Sequence, residues 1–271
     1  MQGKGIIGAI AGDIIGSCYE FRGNRTKDFN FELFTDKSHF TDDTVMTIGV
    51  ANWFLNNKRG VKECLHEIGN KFMDVGYGHM FREWLKSDDP HPYGSYGNGA
   101  PMRVSPCGWV SEDFELIRQF ARATAEVSHN SEEAVKASQL VAELIMWART
   151  ANTKAEAKKR ILRASKMVYR DYDFENTKPE DIRPGYKFDS SCQGCVPQSI
   201  TCVLCSETYE ETVRNAVSLG GDADTMACIA GSIACCIPGM NVPEWIEEET
   251  LKRLHPELRE IYDRFTAIYC Q

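Results

Sequence analysis

The chain has 271 residues, 42% hydrophobic and 26% charged, so it can bury the core of one large or two modest globular domains. Its 31 basic and 39 acidic residues give a formal net charge of -8, and no long Lys/Arg run is present. This composition excludes a basic surface for electrostatic binding of a nucleic-acid backbone. No segment is apolar over enough residues to span a bilayer.

Helical periodicity dominates the chain, because apolar residues recur at three- and four-residue spacing. Asp113, Ser131 and Thr153 stand where helix N-caps are expected. Residues 29–33 alternate briefly like a strand but fit coil equally well. The predicted helices are 5–19, 43–56, 61–74, 79–86, 113–127, 131–149, 154–168, 196–206, 209–219, 223–236 and 256–268.

Non-helical residues cluster at 20–40, 87–108 and 169–191, and none of these stretches resembles a linker between independent units. The sequence therefore predicts one all-α domain over residues 1–271, with functional loops.

The first predicted helix carries a stripe of small residues. Gly8, Gly12 and Gly16 recur at four-residue spacing, which predicts close packing against another helix. A secretory signal sequence is the alternative, but the segment lacks a basic start beyond Lys4, and Asp13 interrupts it. We therefore expect a buried first helix in a cytoplasmic protein.

The chain has eleven cysteines, an odd number without a disulfide framework, which favours reduced thiols. The pairs Cys192/Cys195 and Cys202/Cys205 have the internal spacing of zinc ligands. The gap between the pairs is short for a zinc ribbon, and residues 196–204 are predicted to form one continuous apolar helix. We therefore interpret these cysteines as packing residues.

Two acidic runs open predicted helices: Thr41-Asp42-Asp43-Thr44, and Gly220-Gly221-Asp222-Ala223-Asp224-Thr225. Helix capping alone accounts for either run taken singly. Both runs, far apart in the chain, show the same order of two acids, a Thr and then apolar residues. This recurrence favours a functional role over helix capping alone. Four carboxylates with flanking hydroxyls suit Mg²⁺, Mn²⁺ or Ca²⁺ if the fold brings the runs together.

Four motifs follow one another along almost the whole chain, together with the loop Ser95-Tyr96-Gly97-Asn98-Gly99 and the turn Ser128-His129-Asn130. The four are Gly8-Ala9-Ile10-Ala11-Gly12-Asp13, Phe40-Thr41-Asp42-Asp43-Thr44, Gly97-Asn98-Gly99-Ala100-Pro101-Met102-Arg103, and Gly220-Gly221-Asp222-Ala223-Asp224-Thr225. In this order and spacing they resemble the ADP-ribosylglycohydrolase family.

The resemblance implies a compact orthogonal helical bundle with a binuclear metal cleft, holding two Mg²⁺ with Mn²⁺ as the alternative. The implied metal ligands are Thr41, Asp42, Asp43, Asp222, Asp224 and Thr225. Glu20 is the implied mobile carboxylate over the metals; a solvated loop residue is the alternative.

The resemblance also implies a ligand-binding wall made by Gly97, Asn98, Gly99, Ser128 and His129. The glycines would let backbone N–H groups approach the pyrophosphate and ribose, although Asn-Gly also favours an ordinary turn. His129 on its own would more often cap or pack.

Arg103 either reaches a phosphate or pairs with an internal acid. The pair Ala100-Pro101 departs from the small residues usual in the family, and the chain is shorter than many members, so the acceptor stays open.

The implied reaction is metal-dependent hydrolysis of the bond between ADP-ribose and an acceptor, foremost a mono-ADP-ribosylated protein side chain. Glu20, Asp43 and Asp222 are the implied catalytic residues. The alternatives are an inactive ADP-ribose-binding or structural member and a two-metal phosphoester hydrolase. We expect a monomer whose partner is ADP-ribose or an ADP-ribosylated protein.

Overall fold

The computed structural model describes residues 5–21, 23–56 and 60–270. Within them the α-helices are α1 (Ile7–Gly16), α2 (Asp42–Leu55), α3 (Val61–Lys71), α4 (His79–Lys86), α5 (Phe114–Glu126), α6 (Glu132–Arg149), α7 (Lys154–Val168), α8 (Pro179–Ile182), α9 (Cys192–Cys205), α10 (Tyr209–Ser218), α11 (Ala223–Ala234), α12 (Glu244–Lys252) and α13 (Pro256–Tyr269).

Short 3₁₀ helices lie at Ser17–Tyr19, Pro101–Arg103 and Ser105–Gly108. The described ranges contain no β-strand, and Gly97 and Ser191 form an isolated antiparallel bridge. The prediction of an all-α fold is confirmed.

Three features of the helix prediction were wrong. Helix α9 begins at Cys192 rather than at residue 196, because Ser191 caps it by accepting the Gly194 N–H, and Pro197 is tolerated inside the helix. Helix α8 lies in a stretch expected to be loop. Helix α12 was missed because only Ile246 and Thr250 are buried on it, too few to show a periodicity.

Helices α1 and α11 pack closely against each other, and every residue of both is buried. Each glycine of the stripe on α1 faces the backbone of α11: a Cβ at Gly8, Gly12 or Gly16 would collide with the carbonyl oxygen of Gly231, Ala227 or Ala223. The predicted close packing is confirmed, and its partner is the helix that begins at the second acidic run.

The remaining helices surround this central pair. Helices α9 and α10 pack on α11, α3 and α13 pack on α2, and α5 and α7 pack on α6. The buried apolar residues form one cluster running from Ile6 to Phe265, which supports our proposal of a single domain. Among the described residues, no helix has the length and apolar character needed to cross a membrane.

The paired cysteines lie on the single helix α9, with Cys192, Cys195 and Cys202 buried and Cys205 exposed. Residues 192 and 205 are separated along the helix axis by about 20 Å, at 1.5 Å per residue, so the two pairs do not converge on one ion. All eleven cysteines are free thiols.

Candidate functional site

The first acidic run forms the N-terminus of α2. Thr41 is the N-cap, and its Oγ1 accepts the N–H of Asp43 at 3.3 Å. The same hydroxyl donates to Oδ1 of Asp13 at 2.6 Å. Oδ2 of Asp13 accepts the backbone N–H groups of Thr41 and Thr44 at 3.0 and 3.1 Å, and also the Thr44 hydroxyl. The buried Asp13 of α1 therefore fixes the start of α2.

The second run forms the N-terminus of α11, where Asp222 occupies the N-cap position without capping the helix. Its Oδ2 instead accepts a hydrogen bond of 2.8 Å from Nδ2 of Asn98, which lies in the glycine loop. Gly220, with a φ of 70°, makes the turn that leads into the run. Capping alone therefore does not explain this carboxylate.

The two runs meet in space. Oγ1 of Thr225 donates to Oδ2 of Asp43 at 3.2 Å, across 182 positions of sequence. Carboxylate oxygens of Asp13, Asp43 and Asp224 lie within 4.8 Å of one another, and so do those of Glu20, Asp222 and Asp224. Asp224 therefore belongs to two adjacent groups, each of which could hold a metal ion.

The donor set fits a hard divalent cation. Oδ1 of Asp43 is buried and has no hydrogen-bond partner within the described chain, although a buried carboxylate oxygen needs one. Asp42 lines the same cleft but lies outside both groups of three. Thr225 lines the cleft as well, whereas the hydroxyl of Thr41 is already engaged by Asp13 and Asp43.

Burial raises the pKa of every carboxylate in the site. Burial is the largest cause throughout, and neighbouring carboxylates add to it for Asp42, Asp43 and Asp224, whose pKa values lie well above the usual range. The pKa of Asp222 rises to about 6, held down partly by the Asn98 hydrogen bond. So much buried like charge is stable at neutral pH only with bound protons or cations.

Glu20 follows the 3₁₀ helix that extends α1 and lines the cleft. Its pKa rises to about 8 through burial, then through the charges of Asp224 and Asp13. Its backbone carbonyl accepts a hydrogen bond of 2.8 Å from Nε of Arg25, whose guanidinium carbon lies 4.3 Å from the centre of the Phe188 ring. A solvated loop residue would lack this environment, which favours the cleft role.

The glycine loop forms another wall of the cleft, lined by Gly97, Asn98 and Gly99. The N–H of Gly97 donates to Oγ of Ser95 at 3.1 Å, and the N–H of Asn98 donates to the Ser190 carbonyl at 2.8 Å. These bonds already engage two of the three N–H groups, so the loop offers fewer backbone donors than its sequence implied.

The turn after α5 places His129 on the cleft wall and Ser128 behind it. Burial, and then the charge of Arg103, lower the pKa of His129 to about 3, so the ring is neutral. Arg103 is fully buried; its Nη2 donates to the Thr124 carbonyl and to Oγ of Ser128, both at 2.7 Å. In the described contacts Arg103 does not pair with an internal acid, the second alternative of the sequence analysis, because both acceptors are neutral.

The cleft has a volume of about 370 Å³. A wider cavity of about 940 Å³ lies beside Trp245, but its arginines are already paired: Arg214 with Glu210 at 2.8 Å and Arg253 with Glu249 at 2.6 Å. The smaller cleft is therefore the better candidate, because no ion pair between its carboxylates and a basic side chain is formed among the described residues.

Asp13 is the site residue that sequence reasoning missed. It was noted only as an interruption of the apolar first helix and as part of a motif. A carboxylate in the middle of an otherwise apolar, glycine-striped helix is itself a signal, because a buried charge requires dedicated partners.

The chain is similar to known proteins over nearly its whole length. The ADP-ribosylglycohydrolase family model matches residues 4–270. The chain is 25% identical to ADP-ribosylarginine hydrolase Tri1 of Pseudomonas putida (strain GB-1), over 96% of this chain and 77% of that protein. It is also 25% identical to ADP-ribosylhydrolase ARH3 of Homo sapiens, over 88% of this chain and 86% of the relative.

A solved structure, an ADP-ribosylglycohydrolase-related protein complex, superimposes with a TM-score of 0.70 at 22% identity, covering 98% of this chain and 96% of the other, which supports the fold. The predictions of the family and of an enzyme are thereby confirmed: the chain belongs to the ADP-ribosylglycohydrolase family.

Proposed function

We propose that this chain hydrolyses the bond between C1 of the distal ribose of ADP-ribose and an acceptor side chain of a protein, using divalent cations held in the acidic cleft. The observation that carries the proposal is the position of Asp224, which is shared by the groups Asp13–Asp43–Asp224 and Glu20–Asp222–Asp224. A shared carboxylate between two oxygen-rich groups suits a pair of cations.

We assign the metal positions to the residues carried over from the family, namely Thr41, Asp42, Asp43, Asp222, Asp224 and Thr225, with Glu20 as the mobile carboxylate that the family also implies and Asp13 added from the geometry. Mg²⁺ is the first choice and Mn²⁺ the second, because the donors are carboxylate and hydroxyl oxygens. When bound, the cations would supply Lewis acidity to the ribose hydroxyls and to water, and would neutralise the crowded carboxylates.

Proton transfer, stabilisation of charge and positioning of the substrate would be carried out by residues of the chain itself. Asp43 and Asp222 are the candidates to accept a proton from the attacking water. The transition state at C1 is cation-like, so the negative cleft stabilises its developing charge. Glu20, at the cleft mouth beside Asp224, would orient the leaving group. The N–H of Gly99 and the side chain of His129 would position the diphosphate or ribose.

The test is a panel of substrates with defined linkages, assayed with Mg²⁺, with Mn²⁺ and with chelator. The arginine linkage comes first, because the Pseudomonas relative is an ADP-ribosylarginine hydrolase by name. We expect metal-dependent release of free ADP-ribose, and its loss in Asp224→Asn with the circular dichroism spectrum unchanged. Release of inorganic phosphate would instead indicate a phosphoester hydrolase, and tight ADP-ribose binding without turnover an inactive binder.

A further inference from the structure

Arg103 is a buried cation whose hydrogen bonds go to neutral groups. It ends the 3₁₀ helix Pro101–Arg103, and its guanidinium carbon lies 5.4 Å from the centre of the Phe81 ring. Its Nη2 donates to the Thr124 carbonyl and to Oγ of Ser128, and its Nε has no hydrogen-bond partner in the described part of the chain. Burial of such a charge is costly, and its field acts strongly on the dipoles that it contacts.

The hydroxyl of Ser128 contacts both Arg103 and His129. A guanidinium only donates, so Oγ of Ser128 must accept from Arg103. The same Oγ lies 2.8 Å from Nδ1 of His129. Either the serine hydroxyl donates to a bare Nδ1, or Nδ1–H donates to the oxygen. In the second arrangement the positive end of the Nδ1–H dipole points toward the guanidinium, which is unfavourable. The positive charge of Arg103 therefore favours the first arrangement, in which the serine hydroxyl donates to Nδ1.

The other ring nitrogen of His129 faces the glycine loop. A Cβ built on Gly99 would lie 3.0 Å from Nε2 and 3.2 Å from Cε1, so glycine keeps the space in front of Nε2 open to the cleft. The rings of Tyr93 and Phe81, with centres 5.3 and 6.3 Å from that of His129, flank the imidazole. These contacts together fix the orientation of the His129 ring.

We propose that Arg103 and Ser128 are positioning residues that hold His129 as the neutral Nε2–H tautomer, which donates a hydrogen bond to an acceptor oxygen of the ligand above Gly99. The identity of that ligand as ADP-ribose rests on the proposed function. The tautomer itself does not, because it follows from contacts within the protein.

The first test reads the tautomer directly, by ¹⁵N NMR of the full chain labelled at histidine, with His129→Gln used to assign the signals. We expect the wild-type spectrum at pH 6 to 8 to show a protonated Nε2 and a bare Nδ1 in His129. Ser128→Ala should give a mixture of tautomers. Ser105→Ala also removes a buried hydroxyl, but one that has no hydrogen-bond partner among the described residues, so it should leave the spectrum unchanged.

The second test measures binding of ADP-ribose by calorimetry with Mg²⁺ present. We expect Ser128→Ala to weaken binding by the factor by which the Nε2–H population falls, about twofold for an equal mixture of tautomers, without changing the affinity for Mg²⁺. Ser105→Ala should bind as the wild type does.

The proposed positioning of His129 would be overturned by a wild-type ring protonated at Nδ1, or by a tautomer that Ser128→Ala leaves unchanged. The wild-type spectrum decides this even if the variant does not fold. If the wild type shows the expected tautomer but neither binds nor hydrolyses ADP-ribose conjugates, the assignment of the His129 tautomer is retained and the proposed function fails.

Discussion

Nδ2 of Asn98 donates a hydrogen bond of 2.8 Å to Oδ2 of Asp222, although 124 positions separate the two residues. This bond ties the glycine loop to the N-terminus of α11, so the wall that faces the ligand and the acids proposed to hold the metals form one structure. It also lowers the pKa of Asp222 relative to what burial alone would give.

We predict that Asn98→Ala weakens Mg²⁺ binding about tenfold or more, since a hydrogen bond to a charged group contributes about 1.5–3 kcal/mol. Without the amide, Asp222 would hold its proton to a pH above 6 and compete less well for the cation. Calorimetric titration with Mg²⁺ measures the effect. Asn176→Ala, which removes an exposed hydrogen bond to Asp173, is the matched control and should titrate like wild type. Equal affinities in the two variants would contradict the prediction.

The metal-free protein should become less stable as pH rises from about 6.5 to 8, because below that range the lowered pKa of His129, about 3, has the opposite effect on stability. Carboxyl groups have pKa values near 4 in the unfolded chain, whereas in the folded chain that of Asp222 is about 6 and that of Glu20 about 8. The folded state therefore binds more protons in this window, and its advantage is lost as pH rises through the folded pKa values.

Thermal melts at pH 6.5, 7 and 8, with and without Mg²⁺, test this. The rise in melting temperature caused by Mg²⁺ should be largest at pH 8, where the carboxylates lack protons. Glu20→Gln should flatten the metal-free dependence between pH 6.5 and 8. A melting temperature that climbs with pH in the absence of metal would refute the sign of the argument.

Asp13→Asn should destabilise the protein by about 1–3 kcal/mol, because the amide cannot accept the four hydrogen bonds that the carboxylate receives from Thr41 and Thr44. We expect Mg²⁺ binding to weaken as well, since α2 then begins less rigidly. Denaturant unfolding measures the first effect. Asp263→Asn, which alters a surface pair with Arg259, should change stability little.

Gly12→Ala should destabilise strongly, by about 2 kcal/mol or more, because its Cβ would collide with the backbone of Ala227 and force α1 from α11. Gly185→Ala is the matched control, since nothing lies within 4 Å of the Cβ it would add. Comparison of the two midpoints in urea tests the packing. A midpoint for Gly12→Ala equal to that of Gly185→Ala would show that the helices are not held in this contact.

Sequence reasoning predicted most of the helices because their apolar faces repeat with the helical period. It failed where that local signal was weak or misleading: α12 buries few residues, and the apolar run from residue 196 suggested a later start for α9. The metal-ligand assignment came from motif order and stays a prediction, whereas the contact between Thr225 and Asp43 is a structural finding.

The sequence by itself determined the all-α class, the glycine stripe of α1 and the two acidic helix starts, because each depends on neighbours in the chain. Only the tertiary structure decided that Asp13 supports α2, that Asp224 is shared by two groups, and that Arg103 and His129 both contact the hydroxyl of Ser128. Those relationships join residues from different helices, and a carboxylate or cation changes its protonation and hydrogen bonding according to which distant groups are packed around it.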